Sequence, residues 1–297
     1  MAYRIRHKDS RAQASLRRIA REEVQAAVRS LDTAALDTGD AIHGVRKRIK
    51  RIRALLRLVR PSFEEAQAEN AFFRGIASPL GPPRDAAVLV QTFDRVVADA
   101  APGDADPYAP IRHRLLQHRQ AIDAAQDPVA LLRTTREALQ DALPRIATWR
   151  LDEDGFDAFE AGLKSSYRRG RKAMRAARRH EAEERFHDWR KHAKDHTFHL
   201  RLLQPIWPGP MRAVSSCAAE LGDTLGLHHD FSVLASHVHG MSDIGSDAIA
   251  SLVARIGSQQ RALELHAAAL GVRLYAESPS ALAKAWRRRY AAWRAKG

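Results

Sequence analysis

Apolar positions recur every three or four residues along nearly the whole chain, and the β-branched alternation that marks strands is missing. The clearest stretch is AIHGVRKRIKRIRALLRLVR, from Ala41 to Arg60. On a helical wheel with His43 at zero, Val45, Ile49, Ile52, Leu55, Leu56 and Val59 gather on one side. Arg46, Lys47, Lys50 and Arg57 fall within about 60° of His43 on the other, at about 100° per residue. Breaks stand at Gly39-Asp40, Pro61-Ser62, Gly81-Pro82-Pro83, Pro102-Gly103, Asp127-Pro128, Pro205 to Pro210, Gly240 and Ser278-Pro279. Ser62-Phe63-Glu64-Glu65 reads as a capping box, and Asp106-Pro107, Asp127-Pro128 and Ser278-Pro279 each place a cap before a first-turn proline. The pattern predicts an all-α protein of about ten to twelve helices, mostly about three to five turns long.

A repeat runs through this pattern. His43-x-x-Arg46-Lys47-x-x-Lys50, with Leu56-Arg57-Leu58 and Pro61 after it, returns as His187-x-x-Arg190-Lys191-x-x-Lys194 with Leu200-Arg201-Leu202 and Pro205, a constant 144 residues later. Leu80-Gly81 with Asp85, Val88 and Leu89 returns as Leu225-Gly226 with Asp230, Val233 and Leu234, at an offset of 145. An acidic loop, Leu151 to Gly155, lies between the copies. Similarity of that length implies an internal duplication: antiparallel helical bundles at 1–150 and 151–297, facing each other across a pseudo-two-fold.

Charge changes the picture more than overall composition does. The 297 residues include 49 Lys and Arg against 35 Asp and Glu, a net charge of +14, which favours polyanionic partners and says little about fold. Cys217 is the only cysteine, so an internal disulfide is excluded and a reducing compartment is expected. No apolar run of about 18 residues suggests a membrane span, and the first residues lack the apolar core of a secretory signal, so a soluble cytoplasmic protein is expected.

From Arg46 to Arg60 there are eight cations and no acid. In the second copy His187, Arg190, Lys191, Lys194 and Arg201 make the same stripe. A third acid-free run lies between Glu160 and Glu181, with Arg168, Arg171, Lys172, Arg175 and Arg179 on one face. Like charges three or four residues apart repel, and exposed faces normally mix signs, so three undiluted faces point to a polyanion that neutralises them. Asp40 is a plausible N-cap, and Glu184 stands in the equivalent place. Both histidines are thus expected in first helical turns, where free N–H groups attract anions.

At these residues the sequence resembles the CHAD family, named for a conserved histidine in an α-helical domain. The resemblance rests on HGVRKRIKRIRALLRLVRP, SPLGPPRDAAVL, LKSSYRRGRKAM and FHDWRKHAKDHTFHLRLLQPIWP, and spans most of the chain. It implies two pseudo-symmetric four-helix bundles with a basic cleft or pore between them, binding of long-chain inorganic polyphosphate, and association with polyphosphate granules. The family's histidines fall on His43 and His187. Its basic contacts fall on Arg46, Lys47, Lys50, Arg190, Lys191, Lys194 and the arginines around Tyr167. Arg53 and Arg57 extend the first face. The second is less basic, with Thr197 in the place of Arg53 and His229 in that of Arg84. Asp85 and Asp230 read as structural, through capping or arginine pairing.

Three other readings stand beside this one. Nucleic acid would bind such charge weakly and nonspecifically, but the face from His43 to Arg60 lacks the aromatic platforms of single-strand binders. His192, His196 and His199 share a helix face and raise a metal site, yet that face corresponds to Arg48, Ile52 and Leu55, largely the packed side, so hydrogen-bonded histidines are favoured. A phosphoryl-transfer enzyme needs magnesium carboxylates or a Gly-rich phosphate loop, and neither pattern accompanies the basic faces, so no catalytic residue and no cofactor is expected. WRRRYAAWRAKG offers only a short basic amphipathic segment for a membrane surface.

Overall fold

The computed structural model describes residues 3–32, 38–98, 107–125, 127–179 and 183–295. Among them the chain forms eleven α-helices and no strand. Six precede the acidic loop: α1 (Ala12–Asp32), α2 (Thr38–Val59), α3 (Ala66–Ala77), α4 (Gly81–Val97), α5 (Ala109–Ala124) and α6 (Pro128–Thr148). Five follow it: α7 (Asp157–Arg179), α8 (Glu183–Leu203), α9 (Pro208–His239), α10 (Ser246–Leu274) and α11 (Pro279–Arg294). None of these helices is long and apolar enough to cross a membrane.

The helices are longer than expected, and α9 and α10 reach 32 and 29 residues. The extra length has a local cause in α9. Where the first half breaks at Ser78 to Leu80 and restarts α4 at Gly81, Pro82 and Pro83 follow; a proline pair removes two backbone N–H donors and crowds the preceding turn, which favours a break there. The matching stretch after Gly226 is Leu227-His228, which carries the helix straight through.

Long helices let α9 and α10 serve two apolar cores. The larger core gathers α1, α2, α3, α6, α7, α8 and α11 with Leu221 and Leu225 of α9 and Leu270 and Leu274 of α10. The smaller one joins Leu89 and Phe93 of α4 and Ile111 and Leu115 of α5 to Phe231 and Leu234 of α9 and Leu252 and Ile256 of α10. Both cores therefore draw on both halves of the sequence.

The caps at Asp127 and Ser278 form as expected: Asp127 accepts from the N–H groups of Val129 and Ala130, and Ser278 from that of Ala281. Asp106 lies outside the described residues. The box at Ser62 does not form. Ser62 ends a 3-10 turn, Arg60–Ser62, and α3 begins at Ala66 with no side-chain cap. Phe63 is the reason: it is extended and buried, its ring 5.6 Å from that of Trp149, so the helix starts only after it. Asp40 lies inside α2 rather than before it, and Glu184 lies inside α8. His43 therefore sits three residues deeper than expected and His187 two, both beyond the free N–H groups of the first turn.

Polar contacts lock the helices in register. Asp154, in the acidic loop, accepts from the N–H of Ala12 at 2.7 Å and so caps α1. Thr197 of α8 donates to the Ala218 carbonyl of α9 at 2.7 Å. Glu23 of α1 is fully buried and accepts from Arg48 and Arg51 of α2 at 3.3 and 3.2 Å. At Gly162 the backbones of α7 and α2 meet directly: a Cβ there would lie 1.7 Å from the Leu58 carbonyl oxygen. Gly162→Ala is expected to lower the unfolding free energy by about 3 kcal/mol in urea melts followed by circular dichroism. Gly75→Ala, where a Cβ meets nothing within 4 Å, should not lower it.

Candidate anion-binding site

The apolar sides of α2 and α8 are buried in the larger core, and this aims their polar sides outward beside each other. The two helices touch through His199, whose Nε2 hydrogen-bonds the Ala54 carbonyl at 3.0 Å. Alongside them run the start of α4 and the part of α9 between Leu225 and Phe231, where one core gives way to the other. Arg46 and Lys50 of α2, Arg84 and Asp85 of α4, Arg190 and Lys194 of α8 and Asp230 of α9 act on one another electrostatically at this junction.

Each cation is differently placed. Arg46 lies over Gly81 and reaches Asp85 at 3.5 Å. Lys194 donates to Asp223 at 2.8 Å, its stem beside Gly222 and Gly226 of α9. Arg190 is half-buried, its Nε without a partner; burial lowers its pKa, against the opposing pull of Asp230 and Asp85. Lys50 makes no ion pair among the described residues. Lys50 is exposed as a residue, but crowding around its ammonium, followed by the charges of Arg46, Arg190 and Lys194, brings its pKa down to about 8, with Asp85 pulling the other way. Burial raises the Asp230 carboxyl, opposed by Arg190, Arg84, Lys194 and Lys50.

The histidines flank this cluster. His43 is exposed; burial of part of its ring, then Arg84, Lys47 and Lys50, keeps its pKa below the ordinary 6.5. His187 shares a hydrogen bond with His229 between their Nδ1 atoms at 3.0 Å, so one of the two must accept through an unprotonated nitrogen. Burial, then Arg190, lowers His229 to about 4, and burial, then Lys191 and Arg190, lowers His187. Lys47 is exposed, and Lys191 reaches back to Asp188 at 3.1 Å.

The rest of the sequence-derived set spreads outward. Arg53 donates to Asn70 of α3 at 3.1 Å, and Arg57 bridges Asn70 at 3.4 Å and Asp195 of α8 at 2.5 Å. On α7, Arg168, Lys172 and Arg175 are exposed, and Arg171 lies on the side of Tyr167, whose hydroxyl donates to the Leu274 carbonyl. The α7 arginine whose charge reaches α8, at His192 and His199, is Arg169, outside the expected stripe. Arg201 lines a separate cavity with Arg48 and Arg51. Asp85, Asp223, His229 and Asn70 complete the site although their sequence neighbourhoods carry no basic pattern; only the packing of α3, α4 and α9 brings them there.

His196 and His199 are buried and held neutral, at about 3 and about 4, chiefly by burial. His196 packs against the rings of Tyr167 and Tyr275. Among the described residues no three His, Cys, Asp or Glu side chains converge to hold a metal ion.

The sequence profile of the CHAD domain matches residues 10–239. The chain belongs to the CHAD family. The match includes α2, α8 and the whole α9 segment beside them, so every group of the cationic junction lies within the CHAD region. The structure is similar to that of PptA from Streptomyces chartreusis, with a TM-score of 0.64 at 14% identity, covering 90% of this chain and 100% of that one. This is a likeness of fold. No curated protein matches the chain.

The Lys50 pKa has a consequence for stability. Below about pH 8 the lysine is charged in folded and unfolded chains alike, and the folded state bears the desolvation of its ammonium and the repulsion in full. As the pH rises from about 8 towards the ordinary 10.5, the folded chain loses this proton first and the penalty is relieved. Lys50→Met should therefore raise Tm by about 2 °C at pH 7 in calorimetric scans, with the gain shrinking towards pH 10. A lower Tm at pH 7 would contradict the repulsion.

Proposed function

We propose that the protein binds long-chain inorganic polyphosphate along the cationic junction of α2 and α8, without catalysing a reaction. One observation carries this reading: Lys50, with no ion pair among the described residues, stands among Arg46, Arg190 and Lys194, a group of charges that the acids beside it leave incompletely neutralised. A linear polymer with about one negative charge per phosphate would supply the missing counter-charge and release its own condensed counterions. Arginine forks suit phosphate oxygens, and lysines follow a flexible polymer as mobile point charges. The groups facing one another are guanidinium, ammonium, carboxylate and imidazole, which favours phosphate over the stacking of bases.

The path runs from His43, Arg46, Lys47 and Lys50 to Arg53 and Arg57 on one side and over His187, Arg190, Lys191 and Lys194 on the other. Arg168, Arg171, Lys172 and Arg175 extend it on α7. Two duplicated halves, 1–150 and 151–297, with a cleft between them, agree with this path. The 3-10 turn Arg60–Ser62 recurs at Gln204–Ile206, at the same 144-residue offset as the repeated motif. A cytoplasmic protein associated with polyphosphate granules is the matching cellular role.

Calorimetric titration with long-chain polyphosphate and with single-stranded DNA of matched charge tests this at several salt concentrations. Polyphosphate should bind tighter and lose about a thousandfold in affinity between 50 and 200 mM salt if about six phosphates are neutralised. Lys50→Ala and Arg190→Ala should each weaken it about tenfold. Equal affinities for both polymers, untouched by these variants, would leave only a nonspecific polyanion surface.

A further inference from the structure

A cavity of about 590 Å³ opens on the opposite flank of α2, bounded by α1, α8 and α9 and sharing no residue with the junction around Lys50. That volume is in the range of small-molecule pockets rather than polymer grooves. Arg29, Arg48, Arg51, Arg201 and Arg212 line it, and Glu23 is its one carboxylate. Glu23 is already engaged by Arg48 and Arg51, so Arg29, Arg201 and Arg212 add charge beyond what it can match.

The repeat explains why the cavity lies on this flank. Arg57 closes on Asp195 at 2.5 Å, and the 144-residue offset carries that pair onto Arg201 and Arg51. Where one flank of the α2–α8 contact holds a salt bridge, the other holds two guanidinium groups and a cavity.

We infer that this cavity is a second anion site, for a compact inorganic oligophosphate such as tripolyphosphate. Several guanidinium groups converging on one volume suit a multiply charged phosphoanion. A nucleotide base finds no platform. The aromatic ring on the wall is Tyr3, which has the Arg51 guanidinium 5.7 Å from its centroid and donates its hydroxyl to the Arg51 carbonyl. The inference rests on the cavity alone and stands or falls separately from polyphosphate binding at the α2–α8 junction.

Calorimetric titration with tripolyphosphate and with ATP tests it on three forms of the full chain: wild type, Arg201→Ala/Arg212→Ala and Lys50→Ala/Arg190→Ala. Circular dichroism and Tm check that each is folded. One saturable tripolyphosphate site is expected in the wild type, at least about tenfold weaker without the two arginines. Binding should persist in Lys50→Ala/Arg190→Ala. No saturable binding to the wild type would overturn the site. So would loss in Lys50→Ala/Arg190→Ala with retention in Arg201→Ala/Arg212→Ala, which would move the anion to the junction. ATP binding as tightly as tripolyphosphate would overturn the inorganic assignment.

Discussion

Two cationic helices lie against each other, and the rest of the architecture keeps them there. Like charges about 4 Å apart cost about 1 kcal/mol in bulk water and about 4 kcal/mol near a protein surface, so α2 and α8 would part if nothing held them. Their apolar sides provide the hold. Val45, Ile49, Ile52, Leu56, Leu58 and Val59 of α2 and Trp189, Leu200, Leu202 and Leu203 of α8 are essentially excluded from water in a core that α1, α7, α9 and α11 close around them. At about 25 cal/mol per Å² of apolar surface, burial on that scale offsets several such repulsions.

The carboxylates near the cations moderate the repulsion without removing it. Asp85 meets Arg46 at a loose 3.5 Å and is largely exposed, and Asp223 meets Lys194 from a similarly open position. Exposed pairs of this sort are worth about 0–1 kcal/mol, so they hold Arg46 and Lys194 only loosely. Arg57 differs: its partner Asp195 is mostly buried and the contact short, which suits a permanent link between α2 and α8. The burial of the partner carboxylate thus separates the firm pairs of α2, Arg48 and Arg51 on Glu23 and Arg57 on Asp195, from the loose pair of Arg46 on Asp85, although all four arginines belong to one helix.

Much of the site was legible before any coordinates. The α2 stripe could be read because a single helix fixes the angle between residues: once Ile49 and Ile52 face the core, Arg46 and Lys50 must face away. The all-α character and the turns at Pro61 and Pro205 were legible for the same local reason. What failed was also instructive. Ser62 lost its capping role to the burial of Phe63, and α9 exceeds the expected length of about five turns, since only the first copy has prolines at the matching point.

The sequence by itself determined which residues form helices, which face of each is apolar, and how much positive charge the polar faces carry, because backbone hydrogen bonding and side-chain periodicity act within a few residues. Only the tertiary structure decided which cations are shared with carboxylates, and that Arg201 faces a cavity with Arg51 while Arg57 faces Asp195. Those outcomes depend on distances between helices, and an interhelical distance is set by packing against partners far away in the chain, at contacts such as Gly162 on Leu58 that no local pattern records.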